Sequence, residues 1–356
     1  MRRGQHSLAD MQISEVDPRD GELLRAWHDT YATAASHERP YAVPWQYEEI
    51  RAELLEPGLR RRYSVHAGVV DGEMVAVGEL SLPQLDNTTS ASLNLGTRPG
   101  RRRHGYGAAM LEHLEALAGA AGRTLLNAEI SYPYDASTSA DLDFATRRGY
   151  VVGIGDVMRV LDLPADDESL DRLAAEAAPH HEAYELRSYE GPLPDDVVGS
   201  FAALNALLEV EAPTGELEKE AMSPDVAALR EEERVRTAQG RSWTTTLALQ
   251  GDEVVALTVM GTSVHEPHRC YQWGTLVSRA HRGHRLGAAV KVANLRAFAR
   301  EHPAARTVFT WNAEVNSHMV GINEQLGFRP VERLAELQKR TGGPRPATTP
   351  PAAPPS

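Results

Sequence analysis

The chain repeats itself, so whatever architecture one half adopts, the other must be able to adopt as well. "RRRHGYGAAM" at 101–110 and "HRGHRLGAAV" at 281–290 both place arginine, histidine and glycine in front of a helix-forming run. Arg102 and Arg282 lie 180 positions apart, as do Gly107 and Gly287. Upstream, "YSVHAGVVDGEMVAVGELSL" (63–82) and "WTTTLALQGDEVVALTVMGT" (243–262) each alternate apolar and polar residues around a glycine turn. Their glycines, Gly72 and Gly251, are offset by 179. Downstream, "RRGY" ending at Tyr150 and "QLGF" ending at Phe328 are offset by 178. Four landmarks offset by 178–180 positions define two copies of a module, 12–162 and 184–340.

Each copy reads in the same order. A helical region comes first, as in "DVVGSFAALNALLEV" (196–210), and then a β-hairpin. A further strand follows, "CYQWGTLVS" (270–278) in the second copy, then the basic glycine loop and a helix. Met110, Leu114 and Leu117 share one face of the first such helix, and Leu286, Val290 and Ala293 share one face of the second. A strand comes next, "RTLLNAEI" (123–130) or "RTVFTWNAE" (306–314), and then a second helix and a closing strand. Residues 1–11 read as a flexible start. The stretch 163–183 reads as an acidic linker with a short helix in "ESLDRLAAEAA". The Pro-rich end, 341–356, reads as disordered, because it has little apolar surface to bury.

At 356 residues the chain has room for two ordinary domains. Its 37 basic and 50 acidic residues give a net charge of −13, which argues against a nucleic-acid binder. Against that background the basic clusters at 98–103 and 282–285 read as local sites for a small anion. A single cysteine, Cys270, excludes an internal disulfide and a thiolate-rich metal site, and no metal is expected. His265 and His268 lie close to Cys270 but lack zinc-ligand spacing. No apolar leader and no apolar run of membrane-spanning length are read, so the expected setting is the cytoplasm, with no membrane partner.

The basic loops have a chemical reading. A helix start carries unpaired N–H groups and partial positive charge, glycine lets the backbone approach a phosphate, and arginine adds planar multi-donor contacts. Strand, loop and helix together form a pyrophosphate cradle, and its occurrence at two matching positions outweighs the reading as a plain turn. The glycine spacing does not fit G-x-G-x-x-G, and there is no Gly-Lys-Ser/Thr for a P-loop.

"TLVSRAHRGHRLGAAVK" followed by "TWNAEVNSHMVGINEQLGF" resembles the GNAT superfamily of acyl-CoA N-acyltransferases, and the tandem arrangement resembles that of the mycothiol synthase family. The resemblance implies an α/β (α+β) fold of two modules in pseudo-twofold tandem. Each module would be a mixed, mostly antiparallel sheet with a V-shaped splay, flanked by helices. It also implies acetyl-CoA as co-substrate, its pyrophosphate held at the helix start and its pantetheine arm along the splayed strand. The first copy matches the family loop at Arg102, Gly105 and Gly107. The second matches at Arg282 and Gly287, with Arg285 in place of the middle glycine. Asn316 matches a family asparagine, and Leu326-Gly327-Phe328 matches the ending. The family tyrosine that protonates the leaving thiolate is replaced by Asn323 in the second copy and Ala145 in the first, and Thr138 stands where the first copy would have the asparagine.

On this resemblance the second copy is expected to be catalytic and the first degenerate. The expected cofactor residues are Leu276, Val277, Arg282, Gly283, His284, Arg285, Leu286, Gly287, Ala288, Asn312 and Asn316. A second cofactor site would comprise Arg102, Arg103, His104, Gly105, Tyr106 and Gly107. Glu216 and Glu211, in "EVEAPTGELEKEAM" (209–222), are candidates for the base or ammonium anchor, and Tyr271 for the acid. Trp273 and Trp311 read as core or cleft wall. The function implied is transfer of an acetyl group from acetyl-CoA to the primary amine of a small molecule such as an amino sugar, polyamine or amino-antibiotic. The partners expected are that small-molecule acceptor and, at most, a second copy of the chain in a homodimer. The alternative reading is a non-catalytic acyl-CoA sensor or scaffold.

Overall fold

A computed structural model describes residues 11–342; the expected flexible start, apart from Met11, and most of the Pro-rich tail lie outside the described residues. The first copy comprises β1 (Gln12–Glu15), α1 (Gly21–Ser36), α2 (Tyr47–Leu55), β2 (Arg61–Val70), β3 (Glu73–Pro83), β4 (Ser90–Thr97), α3 (Tyr106–Ala120), β5 (Leu125–Pro133), α4 (Ala140–Thr146) and β6 (Val151–Asp162). The joining helix is α5 (Asp167–Ala177). The second copy comprises β7 (Glu185–Glu190), α6 (Asp195–Asn205), α7 (Leu208–Glu211), α8 (Val226–Ala238), β8 (Arg241–Gln250), β9 (Glu253–Ser263), β10 (Arg269–Val277), α9 (Leu286–Glu301), β11 (Thr307–Ala313), α10 (Ser317–Gln325) and β12 (Arg329–Arg340).

Local chemistry explains the boundaries. Asp20 caps α1 by accepting the Leu23 N–H at 3.0 Å, and Leu24, Trp27, Thr30 and Ala34 form the buried stripe of that helix. The β2–β3 turn holds Asp71 and Gly72 at φ of +50° and +79°, the twist that a two-residue hairpin requires. In α3, Met110 and Leu114 are fully buried against β3, where Gly78 leaves room: a Cβ there would lie 2.7 Å from the Met110 sulfur. The joining segment is ordered through α5, whose Leu170 and Leu173 pack into the α9 core.

All twelve strands among the described residues form one sheet, in the order β1-β2-β3-β4-β5-β12-β6-β11-β10-β9-β8-β7. The closing strands are exchanged. β12, from the second copy, runs antiparallel between β5 and β6, pairing from Glu332 opposite Pro133 to Arg340 opposite Leu125. β6, from the first copy, likewise runs between β12 and β11. Each module is therefore completed by the other's last strand.

The splay is present in both copies. β4 and β5 pair in parallel only over Ser90–Ser92 and Leu125–Asn127, and β10 and β11 only over Arg269–Tyr271 and Thr307–Phe309. Beyond those residues the strands part. β10 also carries an irregularity between Gln272 and Thr275, whereas β4 keeps an unbroken register with β3.

Candidate functional site

A cavity of about 870 Å³ opens in the first copy, in the V between β4 and β5. The end of α1 and the loop after it form one wall, with Tyr31, Arg39 and Trp45. Its floor is β3 and β4, and its far end is the loop that starts α3. The second copy supplies Trp311 and Leu334 to the wall.

The α3 loop has the backbone of an anion cradle. After a turn at Pro99–Arg101, Arg102 is extended, and Arg103 and Gly105 take φ of +67° and +90° before the helix begins at Tyr106. Gly107 lets α3 approach β4 closely, since a Cβ would lie 3.1 Å from the Thr97 hydroxyl. Two of the four arginines are structural: Arg98 donates to Thr30 at 2.8 Å, and Arg101 pairs with Glu73. Arg102 reaches only to 4.0 Å from Asp141, and among the described residues Arg103 has no ion-pair partner, which leaves both guanidiniums free to take a phosphate. His104 stacks on the buried Tyr106 and bonds the Arg102 carbonyl at 2.8 Å.

At the other end of the cavity, Glu79 projects from the middle of β3. The Asn94 amide of β4, its cross-strand neighbour, donates to it at 2.7 Å. Tyr63 also bonds Glu79, and burial pushes the Glu79 pKa above the ordinary carboxylate value. Burial and the Glu79 charge push the Tyr63 and Tyr31 hydroxyls strongly up, so both stay protonated at neutral pH. A carboxylate with raised basicity at the mouth of a splayed pair of strands is equipped to take a proton.

The second copy keeps the loop and fills the groove. After a turn at Arg279–His281, Arg282 is extended, and Gly283 and Arg285 take φ of +88° and +51° before α9 starts at Leu286. The Arg285 side chain binds Glu176 of α5 at 2.8 Å, and His281 bonds the Tyr184 hydroxyl at 3.1 Å, with His284 edge-on to the same ring. Hairpin and strand registers set the copies 180 positions apart, which places Val259 where Glu79 stands and Gly274 where Asn94 stands. Val259 and Leu276 are buried in an apolar cluster with Leu208 and Trp273 at its edge. The Val277 carbonyl accepts from Arg282 at 3.3 Å, while Gly287 and Ala288 pack in the α9 core.

The expected catalytic residues are not assembled as a group. Glu211 binds Arg279 at 2.7 Å and Arg282 at 2.8 Å, and these guanidiniums hold its pKa below the usual carboxylate range, which removes the basicity expected of it. Glu216 is exposed on the loop after α7, its N–H bonded to the Gly153 carbonyl at 3.0 Å. Tyr271 stacks on Trp311 with ring centres 6.5 Å apart, and burial pushes its hydroxyl pKa up. Asn316 caps α10 through the Met319 N–H at 3.2 Å, and Asn312 accepts from the fully buried Asn323 at 2.5 Å.

No sequence motif singles out Glu79, Asn94, Tyr63 or Tyr31. One signal was available. Glu79 is a carboxylate two residues past the buried Val77, on the face of β3 turned towards α1.

Among the described residues, no group of three or more acidic, histidine or cysteine side chains is placed to hold a metal, and no helix is long and apolar enough to cross a membrane.

Residues 23–150 match the acetyltransferase (GNAT) family model. That match falls on the first copy, although the motifs most like the family were read in the second. The chain is similar over 94% of its length to the whole of a tandem GNAT protein from the clavulanic acid biosynthesis pathway, at 25% identity and a TM-score of 0.76. It is similar over 96% of its length to the whole of a GCN5-related N-acetyltransferase from Sphaerobacter thermophilus, at 14% identity and a TM-score of 0.64. No curated protein matches the sequence. The first copy therefore carries the family match, and the chain as a whole is similar to a tandem GNAT protein. The chain is an acyltransferase, as the family and the fold together define it.

Proposed function

We propose that the chain transfers an acetyl group from acetyl-CoA to the primary amine of a small molecule, and that the first copy, rather than the second, does so. The observation that carries this reading is the juxtaposition in one cavity of the cradle at Arg102–Gly107, the β4–β5 splay and Glu79. The second copy offers Val259 in place of the carboxylate.

Acetyl-CoA supplies an activated thioester carbonyl. The Gly105–Ala108 amides at the start of α3, with Arg102 and Arg103, take the pyrophosphate. The unpaired edge of β4 beyond Ser92 offers backbone groups to the pantetheine arm. Glu79 takes the proton that the acceptor amine loses as its nitrogen bonds the carbonyl carbon; the carbon–sulfur bond breaks and the thiolate takes up a proton. Tyr63 and Asn94 hold the carboxylate in place. Glu53 and Glu79 give the acceptor end of the cavity a negative character that suits a cationic amine such as an amino sugar or polyamine.

Thiol release from acetyl-CoA across a panel of small amines tests this. Acceptor-dependent release that Glu79→Gln abolishes supports the assignment. Release that survives Glu79→Gln at full rate removes Glu79 as base, and no release with any amine removes the amine acceptor.

A further inference from the structure

The second copy keeps the cradle backbone of the first, yet its two converging guanidiniums are already occupied. Arg279 and Arg282 bind the same carboxylate oxygen of Glu211, at 2.7 and 2.8 Å, and the Glu211 side chain is only 14% exposed. Glu211 ends α7, a single helical turn. Leu208, at the start of that turn, lies on the same side at i, i−3. It packs on Gly274 so closely that a Cβ there would meet its methyl at 2.6 Å. Gly274 lies in the irregular part of β10, just past the last residue paired with β11, where the strands part. One turn of helix therefore presents an apolar side chain to the splay and an anion to the arginines of the loop. An acyl-CoA arm presents the same two features in the same order, an apolar thioester end followed by a pyrophosphate. The corresponding positions of the first copy, Asn94 and Arg102, face the open cavity.

We propose that α7 is an autoinhibitory plug, an internal stand-in for the acyl-CoA arm that keeps the second copy's groove closed, and that its removal opens a second acyl-CoA site. The plug holds through charge at one end and packing at the other. Its carboxylate stays ionised because the arginines lower its pKa. This inference rests on the reading that the first copy takes acetyl-CoA, and the test separates the two.

The experiment is equilibrium binding of acetyl-CoA to the full-length protein, read as stoichiometry. The intact chain binds one equivalent, which Arg102→Ala with Arg103→Ala abolishes. Leu208→Ala with Glu211→Ala binds two, and adding Arg282→Ala removes the second. Glu211→Gln keeps the shape of the plug and removes its charge. It gives a second, weaker site at an unchanged melting temperature, which guards against a double variant that fails to fold. Two equivalents in the intact chain, or no added equivalent in either opened variant, overturn the plug. Failure of the first-copy reading looks different: binding to the intact chain then survives loss of Arg102 and Arg103, whatever α7 does.

Discussion

Arg39, on the loop after α1, closes on Glu332 of β12 with a hydrogen bond of 2.6 Å, and the Glu332 side chain is only 2% exposed. The pair ties the wall of the first copy's cavity to a strand contributed by the second. Removing Arg39 strands the buried Glu332 carboxylate, which costs about 3–5 kcal/mol. Arg39→Ala should lower the melting temperature by several degrees and raise the KM for the acceptor, because Arg39 lines the cavity. Arg39→Met with Glu332→Met should recover much of the stability and none of the acceptor affinity. A calorimetric scan with steady-state kinetics on both variants reads the two effects separately.

On the proposed mechanism, Glu79 should set the acid limb of the rate profile. Its pKa is raised by burial, so kcat/KM falls with decreasing pH at a value above that of an ordinary carboxylate. Glu79→Gln should lower kcat about 100-fold or more and erase that limb, with little change in the KM for acetyl-CoA. An unchanged limb in the variant would assign it to another group.

The two loops should respond differently to loss of arginine. Arg102→Ala or Arg103→Ala removes a free guanidinium from the cradle and should raise the acetyl-CoA KM about tenfold, the equivalent of one charge-assisted contact. Arg282→Ala, whose partner is Glu211, should leave that KM within about twofold. The reverse ranking would return the working site to the second copy.

Lys291 of α9 is 2% exposed, lies 5.7 Å from the centre of the Phe328 ring, and is pushed down by burial to a pKa of about 7. Its unfolded value is about 10.4. Between these values the unfolded chain binds more protons than the folded one, so this residue makes stability rise with pH from about 7 towards 10. Leu111 stands 180 positions earlier and is 5% exposed, which shows the side chain that the site accepts. Lys291→Leu should raise the melting temperature at pH 7 and flatten that rise; a variant less stable than the parent at pH 7 would contradict it.

The exchanged strands lead us to propose that 12–162 and 184–340 are modules of one folding unit. Expressed alone, neither half should be a folded monomer, because the first lacks β12 from the middle of its sheet and the second lacks β6. Co-expressed halves should form a stable one-to-one complex. Light scattering after gel filtration decides, and a monomeric, cooperatively melting half would refute it.

The repeat was legible because a hairpin, a basic loop and a helix face each leave a local pattern, and β2–β3 and α3 lie where alternation and helical spacing put them. Strand exchange was not legible, since β6 and β12 have the same local pattern whichever sheet edge they join. The occupied groove was hidden for a related reason. Glu211 reads as a turn carboxylate until folding brings Arg279 and Arg282 to it across some 70 residues. Motif completeness favoured the second copy, but completeness of a motif says nothing about what fills the space in front of it.

The interleaving of β6 and β12 limits how this gene can shed sequence. A duplicated segment that no longer performs its own task is ordinarily free to erode. Here Trp311 and Leu334 wall the open cavity, and β12 stands inside the first copy's sheet. Truncation of the second half would dismantle the sheet of the first, so the duplication is held in place by architecture, whatever chemistry each copy performs.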